Sequence, residues 1–239
     1  MSETKSVAAT TAARDTTAAV SPISTAPAAA APRPMLWFAA DPPNLVSLAG
    51  LVSAVLAIYF AILGVFPAAM IGLVWAVTFD WFDGRVARAM PGRTHEQREY
   101  GGQLDSLIDV VSFGVAPAVV LLAVGHFSAW FLPGAVVVFA AAVVRLAYFN
   151  VFGLAEASTY RGLALDNNVI LLVALFALQR VIAAPVFAGM LYAALLGLAA
   201  LNVSSLRTPK LGGGWYYAML GYAIAASAWF GWILIAQPR

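Results

Sequence analysis

From Asn44 to Ala236 the chain is a succession of apolar runs, separated by short polar breaks. A helix that crosses a bilayer needs about twenty mostly apolar residues. Hydrocarbon offers no partner to a backbone N–H or C=O, so such runs must satisfy their own hydrogen bonds as helices. This restricts the chain to an all-α, polytopic transmembrane bundle. Composition agrees: 62% of residues are hydrophobic and 10% are charged, against roughly 25% charged in soluble domains. The mean hydropathy is +0.87. There is no cysteine, which excludes disulfides and thiolate metal sites. The net charge of +2 is small, and the basic residues gather in a few loops. That is a pattern of membrane topology, not of a nucleic-acid-binding face.

Seven spans are expected: 44–63, 67–90, 101–124, 128–151, a shorter one at 163–178, 184–203 and 215–236. Before them, residues 1–33 are mainly Ala, Thr, Ser and Pro, too poor in large apolar side chains to form a core, and are expected to be a disordered tail. Residues 34–42 contain Met35-Leu36-Trp37-Phe38-Ala39-Ala40, too short to span and expected to lie at the interface. Asp41-Pro42-Pro43-Asn44 then breaks the chain and starts the first span. The transmembrane domain is expected over 43–239.

With the N-terminus inside and seven spans, the inner segments hold Arg33, Arg93, Arg98, Arg161, Arg207 and Lys210. The outer ones hold Arg180 and Arg239. By the excess of Lys and Arg on cytoplasmic loops, the junction between spans two and three faces the cytoplasm of a multi-pass protein in the cell membrane. Trp37, Trp75, Trp81, Trp130, Trp215 and Trp229 are expected as interface or core aromatics.

At that junction stand four of the seven Asp residues: Asp80, Asp83, Asp105 and Asp109. A carboxylate at membrane depth is costly unless neutralised, and so marks function. Residues three or four apart share a helix face. Asp80, Asp83, Gly84, Ala87 and Arg88 therefore form one stripe, and Asp105 and Asp109 another. The polar segment between them makes the two helices antiparallel neighbours whose acidic faces meet. No His lies on either stripe; His95 falls in the connecting segment and His126 at the far end. Clustered oxygen ligands suit Mg2+, Mn2+ or Ca2+, and four carboxylates can hold two such ions to clamp a pyrophosphate. Gly84 and Ala87 leave the helix surface bare, and the planar fork of Arg88 matches phosphate oxygens. A transporter carrying a cation on these carboxylates is the alternative of another class.

These positions resemble the signature of the CDP-alcohol phosphatidyltransferase family, Asp-x2-Asp-Gly-x2-Ala-Arg, a spacer, then Gly-x3-Asp-x3-Asp. It is matched by Asp80, Asp83, Gly84, Ala87, Arg88, Gly101, Asp105 and Asp109. The spacer holds twelve residues rather than the usual eight or nine, and a longer loop over 91–100 is expected. The run from Gln103 to Pro117 resembles the phosphatidylserine synthase branch, whose pattern is Leu-Asp-Ser-Leu-x-Asp-x-Val-Ser-Phe-Gly-Val-Ala-Pro. Pro43-Asn44-Leu45-Val46-Ser47-Leu48 and Arg145-Leu146-Ala147-Tyr148-Phe149-Asn150 also fit, with Tyr148 where that branch has an Arg. Residues 160–168 depart from the branch's Gly-Leu-Pro segment.

The resemblance implies a six-helix family core and a homodimer. It implies two divalent cations, Mg2+ or Mn2+, held by Asp80, Asp83, Asp105 and Asp109, with Asp109 also the base. It implies contacts to CDP from Asp83, Gly84, Ala87, Arg88 and Gly101. The implied reaction carries the phosphatidyl group of CDP-diacylglycerol to L-serine and releases CMP; glycerol phosphate, inositol phosphate and choline are the alternative acceptors. Arg145, Asn150, Arg161, Asn167, Asn168 and Ser112 are the candidates for acceptor binding, with Asp166 on the same side.

Overall fold

The computed structural model describes residues 33–153, 159–209 and 212–236. The expected tail over 1–33 therefore lies, but for Arg33, outside the described residues. The rest is almost wholly helical. A five-residue helix α1 (Met35–Ala39) leads into α2 (Pro42–Ile62). There Asp41 is the N-cap residue and Pro42 fills the first helical position, where a missing N–H costs nothing. Helix α3 (Phe66–Ala89) follows, then a rod made of α4 (His95–Asp109), a π-helical turn (Val110–Val115) and α5 (Ala116–Val124). After it come α6 (Leu132–Phe152), β1 (Thr159–Arg161), α7 (Leu165–Phe176), α8 (Ala184–Asn202), β2 (Arg207–Pro209) and α9 (Trp215–Ala236).

Among the described residues, five helical segments are long and apolar enough to cross a membrane: Pro42–Ile62, His95–Val124, Ala129–Phe152, Ala184–Asn202 and Trp215–Ala236. The chain is a multi-pass, all-α membrane protein. Helix α3 equals these in length but ends in the charged motif. Helix α7 has only 12 residues, about 18 Å at 1.5 Å per residue, short of a bilayer core of about 30 Å.

The helices pack with small side chains inward and large ones outward. On α2, Ala54, Ala57 and Ala61 are fully buried, whereas Val52, Leu56, Tyr59 and Ile62 on the other faces are exposed. Where association gains little from hydrophobic burial, close backbone approach supplies the contact. Gly72 of α3 marks the nearest point: a Cβ there would lie 2.7 Å from the Ser53 carbonyl oxygen and 2.9 Å from the Ala57 Cβ. Larger side chains fill the middle of the bundle, among them Met70, Leu73, Leu172, Phe176 and Phe187.

The structure corrects the expected loop over 91–100. Helix α4 begins at His95, because Thr94 accepts a hydrogen bond from the Gln97 N–H while the Gln97 side chain accepts from the Thr94 N–H. That reciprocal box satisfies two donors at the helix start, and the polar segment becomes a surface turn of helix. The guanidinium of Arg93 then reaches back to Asp41 at 2.7 Å, both side chains nearly inaccessible, and ties the start of α2 to the start of α4. Gly101 belongs to the same joint. A Cβ on it would stand 2.9 Å from Asn44 Oδ1 and 3.0 Å from Arg93 Nη2.

One small sheet was not expected. β1 and β2 pair antiparallel, with Thr159 opposite Pro209 and Arg161 opposite Arg207. The hydroxyl of Thr208 donates to the Gly162 carbonyl at 2.7 Å. This ribbon joins the segment after α6 to the segment after α8, and sets Tyr160 beside the acidic end of α3.

Candidate active site

The 3–4 spacing of the motif places Asp80, Asp83, Gly84 and Arg88 along one side of α3, facing Asp105 and Asp109 of α4. Asp80 and Asp83 of α3 and Asp105 and Asp109 of α4 line one cavity together. Asp80, Asp105 and Asp109 each offer a carboxylate oxygen within 4.8 Å of the others. Asp83 is buried and accepts a hydrogen bond from the Ser47 hydroxyl of α2, whose oxygen also lies 3.2 Å from the Pro43 carbonyl. A third helix thus orients the acidic pair.

Beyond Asp109 the helix widens. The Ala116 N–H bonds the Val111 carbonyl five residues back. Pro117 has no N–H to give to the Phe113 carbonyl, and the π register accommodates that gap. Such turns recur at functional sites. Here the widened turn follows Asp109 directly. Asp109 Oδ1 and Ser112 Oγ are both buried with no hydrogen-bond partner. An orphaned carboxylate oxygen beside two further carboxylates, with no nitrogen or sulfur donor in the group, fits a hard divalent cation.

Above the carboxylates opens a cavity of about 260 Å³. Its wall includes Arg88 from α3, Arg145 from α6, Tyr160 from β1, Asp166 and Asn167 from α7, and Tyr216 from α9. Arg88 lies back over Gly84, where a Cβ would meet its Nη1 at 3.3 Å, and its Nη2 donates to the Tyr216 hydroxyl at 2.8 Å. The bare surface expected at Gly84 is thus covered by the phosphate-matching side chain itself. Arg85 sits over the Tyr216 ring at 5.4 Å.

Arg145 is buried. Its Nε donates to the Leu163 carbonyl at 3.2 Å, and its guanidinium lies over the rings of Phe149 and Tyr160 at 5.2 and 5.3 Å. Burial, with Asp166 adding to it, pushes the Tyr160 phenol up to about 12, so its O–H stays a donor at neutral pH. Asp166 accepts from Trp81 Nε1 at 2.8 Å and from the Asn167 N–H at 2.9 Å.

Of the candidates for acceptor binding, Arg145 and Asn167 line the cavity and Ser112 lies beneath it against the carboxylates. The other three are engaged elsewhere. Asn150 accepts from the Ser106 hydroxyl at 3.1 Å. Asn168 exchanges amide hydrogen bonds with Asn202 at 2.6 and 3.2 Å and pins α7 to α8. Arg161 donates to the Tyr148 hydroxyl at 2.9 Å. A guanidinium thus reaches position 148 from the ribbon instead of from α6. Of the residues expected at CDP, Asp83, Gly84 and Arg88 line the cavity; Ala87 and Gly101 are not part of its wall.

Trp81 was expected only as an interface or core aromatic, and Tyr216 was not singled out. Trp81 lies between two motif carboxylates in sequence but about 100° round the helix from Asp80 and about 160° from Asp83. Tyr216 opens a helix that carries no motif. Only the packing of α3 against α7 and α9 brings them to the cavity.

A model of the CDP-alcohol phosphatidyltransferase family matches residues 41–236, and the chain belongs to that family. Among curated proteins, an archaetidylserine synthase of Methanothermobacter thermautotrophicus is 40% identical over 111 residues, 46% of each chain. A CDP-diacylglycerol–serine O-phosphatidyltransferase of Mycobacterium tuberculosis is 37% identical over 110 residues, 45% of this chain and 37% of that one. One from Methanocaldococcus jannaschii is 34% identical over 136 residues, 56% of this chain and 60% of that one. These matches span from about a third to three fifths of the relatives' own length.

Proposed function

We propose that this member of the CDP-alcohol phosphatidyltransferase family transfers the phosphatidyl group of CDP-diacylglycerol to L-serine, releasing CMP and forming phosphatidylserine. The observation that carries the reading is the meeting, in one cavity, of three carboxylates within 4.8 Å and two arginines, Arg88 and Arg145. The serine-specific names of three relatives support the acceptor.

Asp80, Asp83, Asp105 and Asp109 would hold two divalent cations, Mg2+ or Mn2+, which when bound supply charge neutralisation for the pyrophosphate and the departing phosphate. Ser47 keeps Asp83 turned toward Asp105. Arg88, steadied by Tyr216, meets phosphate oxygens of the donor. Asp109 takes the proton from the acceptor hydroxyl. That hydroxyl oxygen forms the new bond to the phosphorus bearing diacylglycerol, and the P–O bond to CMP breaks with its electron pair leaving on CMP. Arg145, buried and held by Leu163, Phe149 and Tyr160, receives the acceptor's carboxylate. The distribution of Lys and Arg supports a site facing the cytoplasm from the cell membrane, and the family supports a homodimer.

The test is CMP release from CDP-diacylglycerol by the purified protein with Mg2+ or Mn2+, with and without L-serine, and identification of the lipid formed. Serine-dependent release of CMP with phosphatidylserine as product is expected, and Asp109→Asn abolishes it. Full activity in that variant removes Asp109 as the base. Turnover with glycerol phosphate or inositol phosphate but not with serine overturns the acceptor. Cation transport without CMP release favours the transporter reading. The carboxylates argue against that outcome, since they gather at one end of two neighbouring helices rather than along a path.

A further inference from the structure

We infer that Asp166 is a specificity-determining residue that reads the ammonium group of an amino-acid acceptor while Arg145 reads its carboxylate. This rests on the serine reading above and assigns the second half of the same subsite.

Arg145 and Asp166 carry opposite charges and line the same cavity. They come from different elements, α6 and the first turn of α7. Among the described residues no ion pair joins these two side chains. Each is instead held in place by neutral neighbours. The Leu163 carbonyl and two aromatic faces fix the guanidinium. The indole N–H of Trp81 donates to Oδ2 of the carboxylate, and the backbone and side-chain N–H groups of Asn167 donate to Oδ1. Oδ2, with a single donor, keeps a lone pair for a further one.

A guanidinium and a carboxylate that share a cavity without touching bear the cost of desolvation and recover little mutual attraction. A small molecule with a charge of each sign on adjacent positions satisfies both at once. An α-amino acid does this, with carboxylate and ammonium on one carbon and the hydroxyl free to face Asp109. The alternative acceptors fail on charge. Glycerol phosphate and inositol phosphate bring anionic oxygens to Arg145 but set nothing positive against Asp166. Choline and ethanolamine supply the cation and leave Arg145 unmatched. Sites whose buried polar groups lose their partner reject the defective analogue strongly.

The experiment compares three acceptors on the intact protein in detergent–lipid micelles, reading kcat and KM from CMP release: L-serine, β-hydroxypropionate, which lacks the ammonium, and ethanolamine, which lacks the carboxylate. The wild type is expected to prefer serine to each by about 100-fold or more in kcat/KM. Asp166→Asn is expected to lower the preference for serine over β-hydroxypropionate by about tenfold or more, through the KM for serine, with the KM for CDP-diacylglycerol unchanged. Asp166→Glu keeps the charge and is expected to retain part of the preference. The ratio between two acceptors does not depend on the fraction of protein that folds. Equal use of serine and β-hydroxypropionate by the wild type, or an unchanged ratio in Asp166→Asn, overturns the assignment while leaving the serine reading intact. Loss of turnover with every acceptor in both variants makes Asp166 a structural residue and also overturns it. No turnover of serine by the wild type, with another alcohol accepted, instead overturns the serine reading.

Discussion

Replacing Asp105 by Asn should make the metal-free protein more stable and the metal-loaded protein less so. The ligand oxygens of Asp80, Asp105 and Asp109 all lie within 4.8 Å of one another. Two unit charges at that separation repel by about 3.5 kcal/mol at an effective dielectric of about 20. Asp105→Asn removes two of these three repulsions, about 7 kcal/mol for fully ionised groups at that separation on the same arithmetic. Water in the cavity screens much of this, and a net gain of about 1–2 kcal/mol is expected. The assay is thermal unfolding in detergent with chelator and then with Mg2+. In chelator the variant unfolds at the higher temperature. With Mg2+ at about a hundred times its dissociation constant the wild type gains about 2.7 kcal/mol, the variant gains little, and the order reverses. CMP release is lost in the variant under both conditions. A variant that is less stable in chelator, or that Mg2+ stabilises as much as it does the wild type, refutes the view that these carboxylates are held together for a cation.

Two further substitutions probe the supports of the site. Arg93→Met strands the carboxylate of Asp41, which is nearly inaccessible; it should cost about 3–5 kcal/mol of stability, and Asp41→Asn in the same chain should recover most of that, as measured by unfolding in detergent. Tyr216→Phe takes the hydroxyl from Arg88 and should raise the KM for CDP-diacylglycerol several-fold with kcat and the KM for serine little changed, read from CMP release; an unchanged donor KM shows that Tyr216 does not position Arg88.

The two sides of the cavity differ in how far the sequence reveals them. The acidic side is local. Asp80, Asp83, Asp105 and Asp109 sit on two helices joined by a short polar connection, so helical spacing alone predicts which of them converge. Several helix starts are legible too, because Asp41-Pro42-Pro43 and Phe66-Pro67 breaks mark them, whereas α4 begins at His95 and not at the expected 101. Hydrogen-bond register is not legible: the π turn after Asp109 is consistent with Pro117 but not implied by it, and it leaves Asp109 Oδ1 and Ser112 Oγ without partners. The capping box at Thr94 and Gln97 was readable, yet lay hidden in a run polar enough to pass for a loop.

The acceptor side is assembled from α6, β1, α7 and α9, and helix crossings rather than spacing decide which side chains face inward. Asn167 faces the cavity while Asn168, the next residue, is consumed by Asn202. No property of the two asparagines separates them in sequence. The same logic governs how such a site changes. A substitution on the acidic side must keep its partners on the facing helix, so the motif is confined. A side chain on the other side of the cavity has neighbours on several elements, as Arg145 of α6 does against Leu163 and Tyr160. On the reading proposed above, donor chemistry and acceptor choice rest on different elements, and Asp166, outside the motif and lining the same cavity as Arg145, is where a change of acceptor should be sought.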